Sequence, residues 1–222
     1  MDIVEAVLSR KSIRGYKPAP VPKEVLREIL DTAIHAPSVD NAQPWEITVI
    51  TGKVLDNVKR AIAEKLNSRV VPKSEVLPRP SSGKYRRSQV ELSLQIFKLM
   101  GIASEDKERR AEWSQRGFRF FEAPAVIILS FDKSIEESLA IFDLGVITQT
   151  ICLTALNYGL GTCIEVQGVT FADILRRFTH MPESKRIVIA IAIGYPDWDF
   201  PANKLESRRE PVEKIVNWCG FD

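Results

Sequence analysis

Hydrophobic residues recur along the chain at spacings that predict a succession of helices around a small sheet. Apolar side chains three and four residues apart predict amphipathic helices, and short continuous apolar runs predict buried strands. Helices are predicted over residues 3–10, 22–35, 53–67, 85–100, 105–120, 134–158, 171–178 and 212–218. Strands are predicted over residues 45–50, 125–129 and 187–193, with a short one beginning near Gly161.

Three local features refine this pattern. Asp2 can cap the first helix, because its carboxylate can accept from free backbone N–H groups. The segment Val71–Lys84 is rich in proline and serine, which predicts a long loop of the kind that often covers a pocket. The helix over residues 134–158 has an apolar centre that needs burial on several sides, which suggests the core of a dimer.

Composition and charge exclude several classes of protein. The 222 residues suffice for one large domain, or for one core with an insertion. A net charge of +2 gives no support for nucleic acid or an anionic membrane as a partner. No apolar run approaches the roughly 20 residues that span a bilayer, and no signal peptide is visible. The three cysteines fit neither a zinc site nor a disulfide framework, so we expect a cytoplasmic location.

The run Arg10-Lys11-Ser12-Ile13-Arg14 places three cations and a hydroxyl where the first helix should end. Arginine offers a phosphate a planar fork of donors, and a serine hydroxyl adds one more. The alternative is a solvated basic helix end, which suits the helix dipole and is favoured by the pentapeptide alone.

The turn between the second helix and the first strand is rich in small polar side chains. Ser38, Asn41 and Gln43 offer mixed donors and acceptors, as a flat ring with alternating carbonyl and N–H groups requires. The alternative is a turn that satisfies itself, because serine and asparagine commonly hydrogen-bond to their own backbone.

Two further motifs lie towards the C-terminal end. Residues 159–163, Gly-Leu-Gly-Thr-Cys, follow a helix instead of opening one, so they do not form a Rossmann dinucleotide turn. Helix termination explains Gly159, although small residues also let backbone N–H groups approach a ligand. Residues 207–211 form a second basic cluster, which could bind a phosphate or pair with its acidic neighbours. No metal site and no Ser-His-Asp order is predicted.

Taken in order, these motifs resemble the FMN-dependent nitroreductase family over nearly the whole chain. The segment from Tyr85 to Pro124 is similar to the branch of nitrobenzoate-type reductases. The matching pieces are Arg-x-Ser-x-Arg, Ala-Pro-Ser-x-x-Asn-x-Gln-Pro-Trp, Asp143-Leu144-Gly145 with Gln149, the glycine loop at 159–163, Gly194-Tyr195-Pro196, Asn203, Ser207-x-Arg209-Glu210-Pro211 and Gly220-Phe221.

The resemblance implies an α+β fold with a central mixed β-sheet flanked by helices, in an intertwined homodimer with FMN at the subunit interface. It implies one FMN-binding domain over residues 1–222, with a helical and loop insertion around residues 68–120 that shapes the pocket. The residues that it assigns to FMN are Arg10, Lys11, Ser12, Arg14, Pro37, Ser38, Val39, Asn41, Gln149, Val166, Gln167, Gly168, Ser207 and Arg209.

The resemblance also implies roles for these residues. Arg10, Ser12 and Arg209 would hold the phosphate, with Lys11 and Ser207 close by. Arg14 would lie towards the pyrimidine side of the ring, where the reduced flavin gathers negative charge.

The remaining residues of the set would surround the ring. Residues 37–41 would reach the flavin from the other subunit, and Gln149 would contact the ring or the ribityl chain. Residues 164–168 would line the ring, with a backbone N–H near Val166 or Gln167 facing the nitrogen that accepts the hydride.

The implied reaction is ping-pong hydride transfer from NADH or NADPH through FMN to a small electron-poor acceptor, such as a nitroaromatic or a quinone. The cofactor carries the chemistry, so no catalytic residue of the protein is assigned. Neither nucleic acid nor a membrane is expected as a partner.

Two departures from the family pattern bear on substrate choice. Gly117 stands where the branch often has asparagine, and Glu165-Val166-Gln167-Gly168 is not the commonest version of the ring-lining loop. The alternatives are a specialised enzyme of the same fold, such as a reductive dehalogenase, an enoate-type reductase or a flavin-consuming enzyme, and a flavin-binding sensor without useful turnover.

Overall fold

The computed structural model describes residues 2–68, 70–76 and 83–221. Its helices are α1 Ile3–Ser9, α2 Lys23–Ala33, α3 Gly52–Asn67, α4 Gly83–Leu99, α5 Lys107–Phe118, α6 Glu137–Leu156 and α7 Ala172–Thr179. Its strands are β1 Glu46–Thr51, β2 Ala125–Asp132, β3 Gly161–Glu165 and β4 Lys185–Gly194. The strands and the first seven helices predicted from the sequence are therefore confirmed. Residues 77–82 of the predicted loop lie outside the described residues.

The predicted helix over residues 212–218 is wrong. A short 3₁₀ turn, Val212–Lys214, forms there instead, and the chain is exposed from Glu206 to Phe221. A single short segment that buries no apolar face gains too little from packing to offset the cost of starting an α-helix.

The four strands form one sheet in the order β1-β2-β4-β3, and each neighbouring pair is antiparallel. The predicted mixed sheet needs correction, because parallel pairing among the described residues is confined to a bridge between Ser12 and Thr162. Continuous apolar strands are buried on both faces, and such a pattern does not specify the direction of pairing.

Helices cover both faces of the sheet. Alternate residues of β2 point to opposite sides, so that Val126 and Ile128 pack with α3 and α7, whereas Ile127 and Leu129 pack with α2 and α6. The sheet therefore forms the middle layer of an α+β fold, and β3 lies at one of its edges.

Several apolar surfaces remain exposed on the single subunit. In α1 no residue is buried, and Leu8 is 80% exposed. On the outer side of α6, Phe142 is 65% exposed, while Trp218 and Phe221 are exposed in the C-terminal segment. α6 is the one helix among the described residues that is long and apolar enough to cross a membrane, so the expectation that no apolar stretch approaches that length is wrong. Its other side packs against α2 and the sheet, as in the core helix of a soluble domain.

Candidate functional site

The basic run after α1 is held in place by one buried asparagine. Oδ1 of Asn203 accepts hydrogen bonds from the backbone N–H groups of Arg14 and Gly15, at 2.6 and 3.2 Å. Its Nδ2 donates to the carbonyl oxygens of Gly15 and Asp197, both at 2.7 Å. The carbonyl oxygen of Asn203 also accepts from Nζ of Lys11 at 3.3 Å. Asn203 is 1% exposed, so these bonds fix the backbone of the run from inside the protein.

The same run lies directly against the edge strand β3. The backbone N–H of Ile13 donates to the carbonyl of Thr162 at 2.9 Å, beside the Ser12–Thr162 bridge. A Cβ added to Gly161 would lie 2.4 Å from Cγ1 of Ile13. Gly161 therefore lets the run approach the strand closely, whereas the approach of a ligand to the small residues of this loop stays a prediction.

The cations of the run form no salt bridge within the described ranges, and Glu165 acts on Arg14 only through its charge. Arg10, Lys11 and Arg14 are all half-buried, whereas the salt bridges of the described residues involve other cations. Arg14 donates from Nη1 to the carbonyl of Ser12 at 3.3 Å, and its guanidinium lies 5.8 Å from the ring centroid of Phe121. Half-buried cations without paired anions suit an anionic ligand better than a solvated helix end.

The polar turn before β1 is anchored to α6. The backbone N–H of Val39 donates to both carboxylate oxygens of Asp143, at 3.1 and 3.3 Å, and Asp143 is buried. The Oγ of Ser38 accepts from the backbone N–H of Gln43 at 2.9 Å, so the turn partly satisfies itself. Of the residues of the turn that were assigned to FMN, Pro37, Val39 and Asn41 are exposed and Ser38 is half-buried.

Gln149 and the end of β3 line the same cavity of about 250 Å³. Gly145, Thr148 and Gln149 line it from α6, and Ile164 lines it from β3. Ile164 is half exposed between the buried residues Cys163 and Glu165. The structure thus brings the predicted contact on α6 next to the predicted ring-lining stretch.

The ring-lining loop is packed closely against α5 and the turn that follows it. Gln167 opens a 3₁₀ turn that ends at Val169, and Val166 precedes it. A Cβ on Gly168 would lie 2.1 Å from Cε1 of Phe120. A Cβ on Gly117 would lie 2.3 Å from Oε1 of Gln167. The side chain of Gln167 therefore occupies the space beside Gly117, where a larger residue would require this flexible side chain to move.

Three consecutive residues after α5 adopt left-handed backbone angles. Phe120, Phe121 and Glu122 have φ of 57°, 51° and 61°. Such angles are unfavourable for bulky residues and persist only where the surroundings impose them. Glu122 is held by ion pairs with Arg119 at 2.7 Å and Lys59 at 3.8 Å. The turn supports Gly168 through Phe120 and Arg14 through Phe121.

A buried carboxyl group lies behind this loop. Glu165 is 5% exposed, and burial raises its pKa to about 7, although a hydrogen bond with Cys163 and the charge of Arg14 oppose the shift. Burial also raises the pKa of Cys163 and of Tyr16. The sequence placed Glu165 in the ring-lining stretch but gave no sign that its side chain points inward.

The second basic cluster is separate from the first within the described subunit. Arg209 donates from Nη1 to Oγ and the carbonyl oxygen of Ser207, at 2.6 and 2.9 Å, and both residues are exposed. No hydrogen bond or ion pair of the described residues joins them to Arg10 or Ser12, so their place in a phosphate site stays a prediction. The described residues contain no group of three or more His, Cys, Asp or Glu residues suited to a metal ion.

Comparisons with known proteins agree with this geometry. The model of the nitroreductase family matches residues 7–195. A 4-nitrobenzoate reductase of Pseudomonas putida is 32% identical over 221 residues, which cover 100% of this chain and 97% of that protein. A nitrobenzene nitroreductase of Ectopseudomonas oleovorans is 28% identical, with coverage of 97% and 96%. The crystal structure of the FMN and NADPH-dependent nitroreductase NfnB from Sphigopyxis sp. strain HMH is 25% identical and covers both chains fully, with a TM-score of 0.93.

Proposed function

Because the chain belongs to the nitroreductase family, we propose that it is an FMN-dependent NAD(P)H oxidoreductase that reduces nitroaromatic compounds, quinones or similar electron-poor acceptors. The observation that carries the proposal is the position of the basic run, whose backbone lies against β3 at one end of the stretch that lines the cavity with Gln149, while its three cations form no salt bridge among the described residues. Two relatives that match over nearly their whole length are named 4-nitrobenzoate reductase and nitrobenzene nitroreductase. These names support nitroaromatic compounds as the substrate class.

The donor set fits FMN. Arg10 and Ser12, with Lys11 close by, offer charged and neutral donors to a phosphate. Ile164 offers an apolar surface to one face of a flat ring, and a backbone N–H near Val166 or Gln167 would face the nitrogen that accepts the hydride. Ser207 and Arg209 would complete the phosphate site. When bound, FMN supplies the hydride transfer.

The residues of the chain would position and stabilise the cofactor. Arg14, fixed through its backbone by Asn203 and through its side chain by Ser12, stabilises negative charge that develops at the ring. The Phe120–Glu122 turn holds the ring-lining loop rigid and excludes water behind it. The insertion around residues 68–120, which includes the segment between α3 and α4, would select the acceptor. It is placed to do so because α5, which belongs to it, packs against residues 167–169 of the ring-lining loop.

A homodimer with FMN at the subunit interface would complete the site. Supporting observations are the exposed apolar side chains of α1, α6 and the C-terminal segment. Apolar residues scattered singly over a surface are normal, whereas several on one helix or segment indicate an interaction surface. The exposed residues of the turn, Pro37, Val39 and Asn41, would then reach the FMN of the partner together with Ser38. We place the protein in the cytoplasm as one FMN-binding domain, with a small molecule as electron acceptor.

Absorbance spectroscopy of the purified protein tests this function. We expect a flavin spectrum that NADH or NADPH bleaches without oxygen, and that a nitroaromatic or a quinone restores. A yellow protein that neither nucleotide bleaches would contradict an oxidoreductase and favour a flavin-binding sensor. Reduced flavin that no nitro compound or quinone reoxidises faster than oxygen does would point to a specialised enzyme of the same fold.

A further inference from the structure

The side chain of Glu165 points into the protein directly behind the ring-lining stretch. Side chains alternate along β3, so Ile164 faces the cavity while Cys163 and Glu165 face the opposite side. A carboxyl group at this depth is uncommon unless it is paired. No salt bridge of the described residues includes Glu165.

The groups that interact with this carboxyl come from two segments. Cys163, on the same strand, hydrogen-bonds to it, and a thiol is only a weak donor. Arg14, from the basic run, contributes positive charge. Tyr16, two residues beyond the run, donates its hydroxyl to the carbonyl of Ala192 at 3.2 Å and is therefore engaged elsewhere. Its neighbours thus compensate an ionised Glu165 incompletely.

We propose that Glu165 tunes the charge presented to the flavin by gaining and losing a proton, so that the Arg14–Glu165 pair is either positive or neutral. The inference rests on the proposed function, because it assigns the ring of FMN to the side of Arg14. Hydride transfer moves two electrons and one proton from NAD(P)H to the ring, which gains one negative charge. No bond forms between Glu165 and the flavin or the nucleotide; the carboxylate only takes up a proton. If its carboxylate is ionised, the new charge draws one proton from solvent onto it, and the pair becomes positive beside the reduced ring.

The shifted acidity of Glu165 places this exchange in an accessible range. Burial raises its pKa to about 7, so both forms are populated near neutral pH. A positive pair favours the reduced, negatively charged ring, and a neutral pair favours it less. The reduction potential should therefore fall more steeply with pH where Glu165 loses its proton in the oxidised protein.

The variant Glu165→Gln fixes the neutral form and removes the exchange. The reduction potential of the flavin is measured over about two pH units on either side of pH 7, in the wild type, in this variant and in Glu64→Gln, an exposed control on α3. We expect the wild type and the control to show a change of slope near pH 7 that Glu165→Gln lacks. Parallel curves for all three proteins would overturn the inference.

A second measurement uses the protein freed of FMN. Because the folded-state pKa of Glu165 lies above its ordinary value of 4.5, its stabilising contribution is complete below that value and is lost as pH rises through about 7. The wild type should therefore lose stability relative to Glu165→Gln over this range, in urea unfolding. A constant difference would show that Glu165 does not titrate there. A protein that binds no FMN would overturn the proposed function and this inference together, whereas a protein that binds FMN with parallel curves overturns the inference alone.

Discussion

Replacing Asn203 with alanine should release the basic run and weaken both folding and FMN binding. The side chain makes four hydrogen bonds to backbone groups of Arg14, Gly15 and Asp197. Each buried backbone group left without a partner costs about 1–3 kcal/mol. Some of these groups will regain water, and such costs are not additive, so we expect the free energy of unfolding to fall by about 3–5 kcal/mol.

The effect on binding follows from the same geometry. Once the backbone of the run is free, its cations must be ordered again when the phosphate binds, and we expect the Kd for FMN to rise tenfold or more, which is about 1.4 kcal/mol. Urea unfolding of the FMN-free protein measures the first effect, and quenching of flavin fluorescence measures the second. A suitable control is Asn57→Ala, which removes an exposed hydrogen bond to Arg60 and should change stability by no more than about 0.5 kcal/mol.

The variant Asn203→Asp separates the donors from the acceptors. It retains an acceptor for Arg14 and Gly15 but turns a carboxylate oxygen towards the two carbonyl groups that Nδ2 now serves. We expect it to be at least as destabilised as the alanine variant. If Asn203→Ala lost less than about 1 kcal/mol and bound FMN as the wild type does, Asn203 would not position the run, and the reasoning would fail.

Three other predictions concern different parts of the site. Arg209→Ala should weaken FMN binding by about 1.5–3 kcal/mol, the range for a hydrogen bond to a charged group, whereas the neighbouring Arg208→Ala should not; equal Kd values would remove Arg209 from the phosphate site. Gly168→Ala should destabilise the fold by about 1–3 kcal/mol in urea unfolding, because its Cβ would meet the ring of Phe120; wild-type stability would show that the ring can yield. A Cβ added at Gly145 would meet no atom within 4 Å in the described subunit, so in a single subunit Gly145→Ala should stabilise the helix by about 1 kcal/mol. We expect it instead to reduce retained flavin after gel filtration, because a partner or FMN occupies that space, and a more stable protein with full flavin would refute this.

The fold was largely predictable because its elements carry strong local patterns. The apolar runs of β2 and β4 and the helical spacing in α2 and α3 are properties of a few neighbouring residues. The direction of strand pairing was not predictable, since a buried strand has the same composition in either direction. The helix predicted over residues 212–218 was wrong for a related reason. Residues with helical spacing form a stable helix only when their apolar face packs against another surface.

The candidate site was predictable as a set of motifs but not as an arrangement. The basic run and the polar turn could be recognised as chemistry, and the family order joined them. The contacts that hold them, from Asn203 to Gly15 and from Asp143 to Val39, link residues 188 and 104 positions apart in the chain. No local rule pairs one asparagine with a backbone at that distance. Glu165 was missed for a different reason, because only the alternation of β3 against its neighbours shows that the carboxyl group is buried.

The way in which the site is supported explains how it keeps its positive charge. The basic run is held by the neutral amide of Asn203, so its anchor cancels none of the charge on Arg10, Lys11 or Arg14. An aspartate in the same place would add a negative charge beside the run and weaken its attraction for a phosphate. Glu165 is a carboxyl group that interacts with Arg14 from behind, and its burial favours the neutral form up to about pH 7. Structural support and electrostatic attraction thus depend on different side chains. A change in pH can alter the electrostatic attraction through Glu165 while the hydrogen bonds of Asn203 stay in place.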